Sequence, residues 1–143
     1  QKTAYEIGQW LEFRRVLFRS EISELIYGII NATKFLKPGG KILTVSFHSI
    51  EDKIIKYFFS NFASNRSKPS RYLPEDNSGS LELFENYYNK VIKPSKFEID
   101  KNYPSRSAKL RFAIRSKNKF VFPNNLIQKF NKLLKIEAMN VQN

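Results

Sequence analysis

The chain has 143 residues, 41% of them hydrophobic, with 13 Phe and 7 Tyr. That supports one domain with a real core and excludes an intrinsically disordered chain. Cysteine is absent, which excludes disulfides and thiolate metal sites, while 25 Lys and Arg against 13 Asp and Glu leave a net charge of +12. Such a charge attracts polyanions, nucleic acid first and an anionic membrane surface second, although a lysine-rich proteome gives the same basic surface without a partner. No stretch reaches the length of a membrane span and the start lacks a signal-peptide pattern. The absence of cysteine agrees with a reducing compartment, and a cytoplasmic location is the expectation.

Residues 1–13 have a helical pattern, with Ile7, Trp10 and Leu11 on one face and Thr3 and Glu6 at capping-box spacing. Residues 14–20 fit this less well, and their three arginines within six residues mark a junction. Residues 21–37 form a strong helix: Ile22, Leu25, Ile26, Ile29 and Ile30 recur at spacings of three and four. Ser20 is placed to cap it, and Glu21 and Glu24 favour the positive end of its dipole. Pro38-Gly39-Gly40 ends it. These glycines precede a strand, whereas a phosphate-cradling loop follows one.

Residues 41–47 read as a short buried strand. A polar elbow follows, with Ser46, His48, Ser49, Glu51 and Asp52, and His48 is the only histidine of the chain. The next helix, 50–63, carries an apolar stripe of Ile54, Ile55, Phe58, Phe59 and Phe62. The elbow has two readings. Strand, polar elbow and helix is how open α/β sheets present groups to a ligand. Equally, Ser49, Glu51 and Asp52 are the residue types that start a helix, Ser49 as the cap. His48 and Ser46 then remain as exposed candidates for chemistry.

Residues 64–80 read as a loop rich in Ser, Pro and Asn, in which Arg66 and Arg71 are candidates for phosphate contacts. One or two strands are expected over 81–93, and a helical turn over 95–101 capped by Ser95. From Lys109 to Arg115 basic and apolar residues alternate. Lys109, Arg111 and Arg115 are expected on a cationic face, and Leu110, Phe112 and Ile114 on a buried one. Its entry, Ser105-Arg106-Ser107, adds a cation and two hydroxyls suited to phosphate oxygens. The same alternation also suits an edge strand guarded by charge. A basic amphipathic helix closes the chain near 125–137, able to pack on the sheet or lie on a partner or membrane surface. There is no metal-ligand spacing, and one histidine makes no convincing nucleophile triad.

Lys37-Pro38-Gly39-Gly40 leading into Ser46-Phe47-His48-Ser49-Ile50-Glu51-Asp52-Lys53 resembles a signature of the bacterial 16S rRNA cytosine-N(4) methyltransferases of the RsmH or MraW type. Pro94 to Arg115, with Ser105-Arg106-Ser107-Ala108-Lys109-Leu110-Arg111, resembles that family's closing signature. The resemblance covers residues 21–115 and implies the C-terminal half of a class I (Rossmann-like) methyltransferase, an α/β fold whose twisted, mostly parallel sheet has flanking helices. Residues 1–20 would be a remnant of the family's inserted helical domain plus a poorly matching junction, and 116–143 a tail. Strand 41–47 would be the last parallel strand and 109–115 part of the closing antiparallel pair. S-adenosylmethionine is implied as methyl donor, held by a Gly-Gly-His stretch and acidic residues that this chain lacks. A cytosine of small-subunit rRNA, in the 30S subunit, is implied as acceptor. Tyr103-Pro104 stands where the family has Pro-Arg, so one expected cation is missing.

Methylating an exocyclic amine needs nitrogen, methyl carbon and sulfur in line, a task of positioning, with the base unstacked to reach its pocket. His48 is the candidate for orienting the base or accepting its proton, with Ser46 beside it. A histidine that merely bonds the backbone is the other reading. Arg106, Ser107, Lys109 and Arg111, with Arg66 and Arg71, are the candidates for rRNA phosphates. Alone, the chain would be inactive. A non-catalytic basic α/β module that binds RNA is the alternative.

Overall fold

The computed structural model describes residues 21–64 and 82–141. The expectations on residues 1–20 and most of loop 64–80, Arg66 and Arg71 included, lie outside the described residues. The chain divides into two compact units: residues 21–30 with 124–141, and residues 31–123, among those described.

In the first unit the apolar periodicity gives two helices, α1 (Glu21–Phe35) and, at the far end of the chain, α4 (Asn124–Val141). The boundary between the units falls within α1. Ile22 and Ile26 of α1 are fully buried, as is Leu126 of α4. The α1 amino terminus is met by a residue far away in sequence. Glu137 is 3% exposed, and its two carboxylate oxygens accept from the Ile22 and Ser23 amides, each at 3.0 Å. An anion thereby satisfies two of the orphan donors of the first turn and complements the dipole.

The second unit is built on three strands, β1 (Lys41–Ser46), β2 (Phe84–Tyr87) and β3 (Lys109–Arg115), in the order β1-β3-β2. Both pairings are antiparallel, so β1 and β2 run in one direction with β3 opposed between them. No parallel neighbour of β1 is among the described residues. The stretch expected to hold one or two strands gives β2 and a single bridge, Ile92 to Leu110. Gly39 holds the left-handed backbone that the turn before β1 needs, with φ at 79°. Its amide donates to the Arg115 carbonyl, which closes the sheet end at the turn.

Helix α2 (Ser49–Asn61) lies on one face of this sheet and supplies most of its core. Phe58 and Phe59 are fully buried and meet the Phe84 ring edge-on, at centroid distances of 5.4 and 5.2 Å. Such perpendicular contacts suit the aromatic quadrupole and add to the burial of apolar area. A short helix, α3 (Lys96–Lys101), and a 3₁₀ turn (Tyr103–Ser107) lead into β3. Ser95 caps α3 as expected, its hydroxyl accepting from the Glu98 amide at 3.2 Å.

The faces of β3 are the reverse of those expected. Arg111, Ala113 and Arg115 lie on the side covered by α2, whereas Leu110, Phe112 and Ile114 are only half-buried. The register explains this: Ile42 is opposite Ala113 and Thr44 opposite Arg111, whereas Leu43 is opposite Phe112 and Val45 opposite Leu110. Leu43 and Val45 are 59% and 58% exposed, so the apolar face of the sheet is the open one among the described residues. Both arginines are tolerated inside because their terminal guanidinium nitrogens find acceptors, although the buried Arg115 Nε is left without one. Arg115 donates through Nη1 to the Leu83 carbonyl at 2.8 Å and through Nη2 to the Asn118 carbonyl at 2.9 Å. Burial pushes its guanidinium below the usual arginine value.

This distribution predicts unequal costs along the sheet. Phe58→Ala should destabilise the chain by about 4 kcal/mol in a denaturant titration, through lost transfer energy and the cavity left behind. Val45→Thr, on the open face, should stay within about 0.5 kcal/mol.

Candidate functional site

The candidate site is the elbow at the end of β1 and the start of α2. The amino-terminal cap of α2 is His48, not Ser49, with φ −102° and ψ 147°. Ser49 is the first helical residue and is exposed. Glu51 does the capping work from inside the helix, its Oε2 accepting from the Phe47 amide at 3.2 Å and the His48 amide at 3.3 Å. The elbow is therefore folded back on itself, as a Glu at the third helical position does in a capping box. His48 is half-buried, and its backbone amide is fixed by Glu51.

Asp52 stands in the first turn of α2, as expected, and has a second task. It forms a forked ion pair with Arg111, Nε to Oδ1 at 2.6 Å and Nη2 to Oδ2 at 3.2 Å. Arg111 Nη1 donates to the Tyr87 hydroxyl at 2.9 Å and to the Asn89 carbonyl at 3.2 Å. One guanidinium thus joins α2, β3, β2 and the segment after β2. Lys109, opposite Ser46 in the strand register, approaches Asp52 at 3.5 Å. Burial raises the Asp52 carboxyl, but hydrogen bonds and charge from Arg111 and Lys109 outweigh it and hold the group below its usual 3.8. The hydrogen bond to Asp52 raises the Arg111 guanidinium. Burial raises the Tyr87 phenol, against the lowering effect of Arg111.

Of the residues singled out from sequence, Ser46, His48, Glu51, Asp52, Lys109 and Arg111 gather around this elbow. Ser46 is not exposed as expected: it is 2% exposed, and its hydroxyl is without a hydrogen-bond partner. Arg111 is 6% exposed with its fork occupied, so it is a structural clasp and not an open cation. Arg106 and Ser107 are exposed in the 3₁₀ turn, and Lys109 is half-buried at the start of β3. Tyr87 and Asn89 were missed. Tyr87 counts in the sequence only as an apolar residue of the strands expected over 81–93, Asn89 stands in no charged or periodic pattern, and only the geometry of Arg111 brings them in.

Asp52 gives the clasp a pH dependence of defined sign. A carboxyl whose folded value is depressed stabilises the fold above its unfolded value and loses that contribution as pH falls through the folded value. The chain should lose stability as pH falls below 3.8, and Asp52→Asn should flatten that acid leg in denaturant titrations at successive pH values. Arg111→Met, which leaves Asp52 without its forked partner, should cost about 3 kcal/mol at neutral pH.

Curated relatives of the chain carry the name Ribosomal RNA small subunit methyltransferase H, among them the following three. The protein of Hyphomonas neptunium is 39% identical over 102 residues, 71% of this chain and 30% of its own. That of Bartonella henselae is 41% identical over 108 residues, 76% of this chain and 31% of its own. That of Bartonella bacilliformis is 43% identical over 102 residues, 71% of this chain and 30% of its own. The chain therefore spans about a third of the length of the curated relatives it matches. Residues 11–116 match the family model described as the MraW methylase family, which takes in the elbow, the clasp and all three strands, and the chain belongs to that family.

Proposed function

We propose that this chain contributes the base-facing elbow of an S-adenosylmethionine-dependent methyltransferase acting on the exocyclic amine of a cytosine in small-subunit rRNA. The observation that carries this is the position of His48. The only histidine of the chain stands at the carboxyl end of β1, its backbone pinned by Glu51. Ligands of open α/β sheets sit at that end of a strand. The relatives' name supplies the substrate class, small-subunit ribosomal RNA. The strand order β1-β3-β2, with β3 opposed, agrees with the closing end of a class I methyltransferase sheet.

The described residues do not fit S-adenosylmethionine itself. Its ribose and charged end call for a glycine turn after a strand and for unengaged acids. Gly39 and Gly40 lie before β1, and a Cβ at Gly40 would fall 2.8 Å from the Leu36 side chain, so that turn is filled by its own chain. Asp52 is occupied by Arg111 and Lys109. No step is assigned to these residues through the cofactor. Their part is on the acceptor side. His48 orients the amine or takes up the proton that leaves it. The clasp keeps α2, and with it His48, in register with the strands. Lys109, Arg106 and Ser107 meet phosphate oxygens at the entrance to β3. On this reading the chain acts in the cytoplasm, on the 30S subunit.

In the full-length protein, His48→Ala should lower methyl transfer to small-subunit RNA by about a hundredfold or more, with RNA affinity unchanged. Unchanged turnover would remove His48 from the reaction. Calorimetry on the present chain with S-adenosylmethionine should show heats of dilution only. Binding tighter than about 100 μM would place the donor site here after all and overturn the acceptor-side reading.

A further inference from the structure

The segment between β2 and β3 carries apolar rings that the fold does not use. No residue of α3 is buried, and Ser105 is the only buried residue of the 3₁₀ turn. Phe97 and Tyr103 are 68% and 65% exposed. Each has a cation over its face. The Lys101 ammonium lies 4.3 Å from the centre of the Phe97 ring, and the Arg106 guanidinium carbon 4.3 Å from the centre of the Tyr103 ring. Arg106 is held there by its own hydrogen bond to the Tyr103 carbonyl at 3.5 Å. Lys93, Lys96 and Ser107 are exposed on the same segment, as are the acids Glu98 and Asp100.

We infer that Phe97 and Tyr103 are base-stacking platforms for single-stranded RNA, with Lys101 and Arg106 placed to meet the phosphates between the stacked bases. The inference rests on the RNA-directed function proposed above and adds the mode of binding. The chemistry favours this occupant. Ring, cation, ring, cation is the order along the chain, and a single strand offers a π-face and a negative charge in the same alternation. Stacking needs an open ring, whereas a ring meant for the core would be covered.

The test is fluorescence anisotropy of the present chain with a labelled single-stranded RNA dodecamer, with a duplex of the same sequence and anionic phosphatidylglycerol vesicles as comparisons. Phe97→Ala and Tyr103→Ala should each weaken single-strand binding about tenfold, and Tyr103→Phe should stay within about twofold of wild type. Neither ring is in the core, so circular dichroism should be unchanged. Arg106→Gln should reduce the salt dependence by about one ion. Wild-type affinity in both alanine variants, or no binding by the wild-type chain, overturns the inference. So does ring-dependent vesicle binding that RNA does not compete. Ring-independent RNA binding beside intact methyl transfer in the full-length protein sinks the stacking platform and leaves the function standing. Ring-dependent binding supports the platform whether or not methyl transfer is found.

Discussion

The arrangement of the β-sheet unit depends on one buried guanidinium. Arg111 is 6% exposed, and its donors reach Asp52, the Tyr87 hydroxyl and the Asn89 carbonyl. A charge in that position is costly unless its partners are all in place, and here they come from a helix, a strand and a connecting segment. That makes the clasp a condition on geometry. If α2 slipped by a turn, Asp52 would leave the fork and an arginine would be stranded inside. The aromatic packing of Phe58 and Phe59 on Phe84 supplies the larger apolar contribution but is less selective in register.

The elbow inherits its precision from this clasp. Asp52 lies four residues after His48, and Glu51 pins the amides of Phe47 and His48. The histidine is therefore set by two devices, both in the first turn of α2. Ser46 shows the opposite case: it enters the covered face with no partner for its hydroxyl, where the cost of desolvation is met without a hydrogen bond. Lys109 stands opposite it and leans toward Asp52, so cation and acid close the end of the strand pair.

The open side of the sheet and the α3 region follow a different logic. Leu43 and Val45 present an apolar surface next to half-buried Leu110 and Phe112, and the Tyr88 ring stacks on Phe112 at 4.6 Å. Along α3 and the 3₁₀ turn, by contrast, each exposed ring carries a cation. A bare apolar surface favours burial against another apolar surface, whereas rings interleaved with cations keep their affinity for water and for polyanions.

The amino-acid sequence by itself determined the elements. Periodicity placed α1, α2 and β3 within a residue or two, Pro38-Gly39-Gly40 placed the turn before β1, and Ser95 placed the start of α3. These features are legible because they depend on spacing and on residue types acting within one turn. The two long motifs carried the family for the same reason, since each lies in one continuous stretch. What only the tertiary structure decided is which side of β3 is inside. Alternation yields two faces and does not say which one meets a helix. Apolar residues were expected within, yet Asp52 and Tyr87, 59 and 24 residues from Arg111 in sequence, satisfy the guanidinium and reverse the choice. The capping of α1 by Glu137, 115 residues from Ile22, was hidden for the same reason. A charge is read from sequence as a surface group because its partner is chosen by folding, and local pattern carries no record of partners that far away.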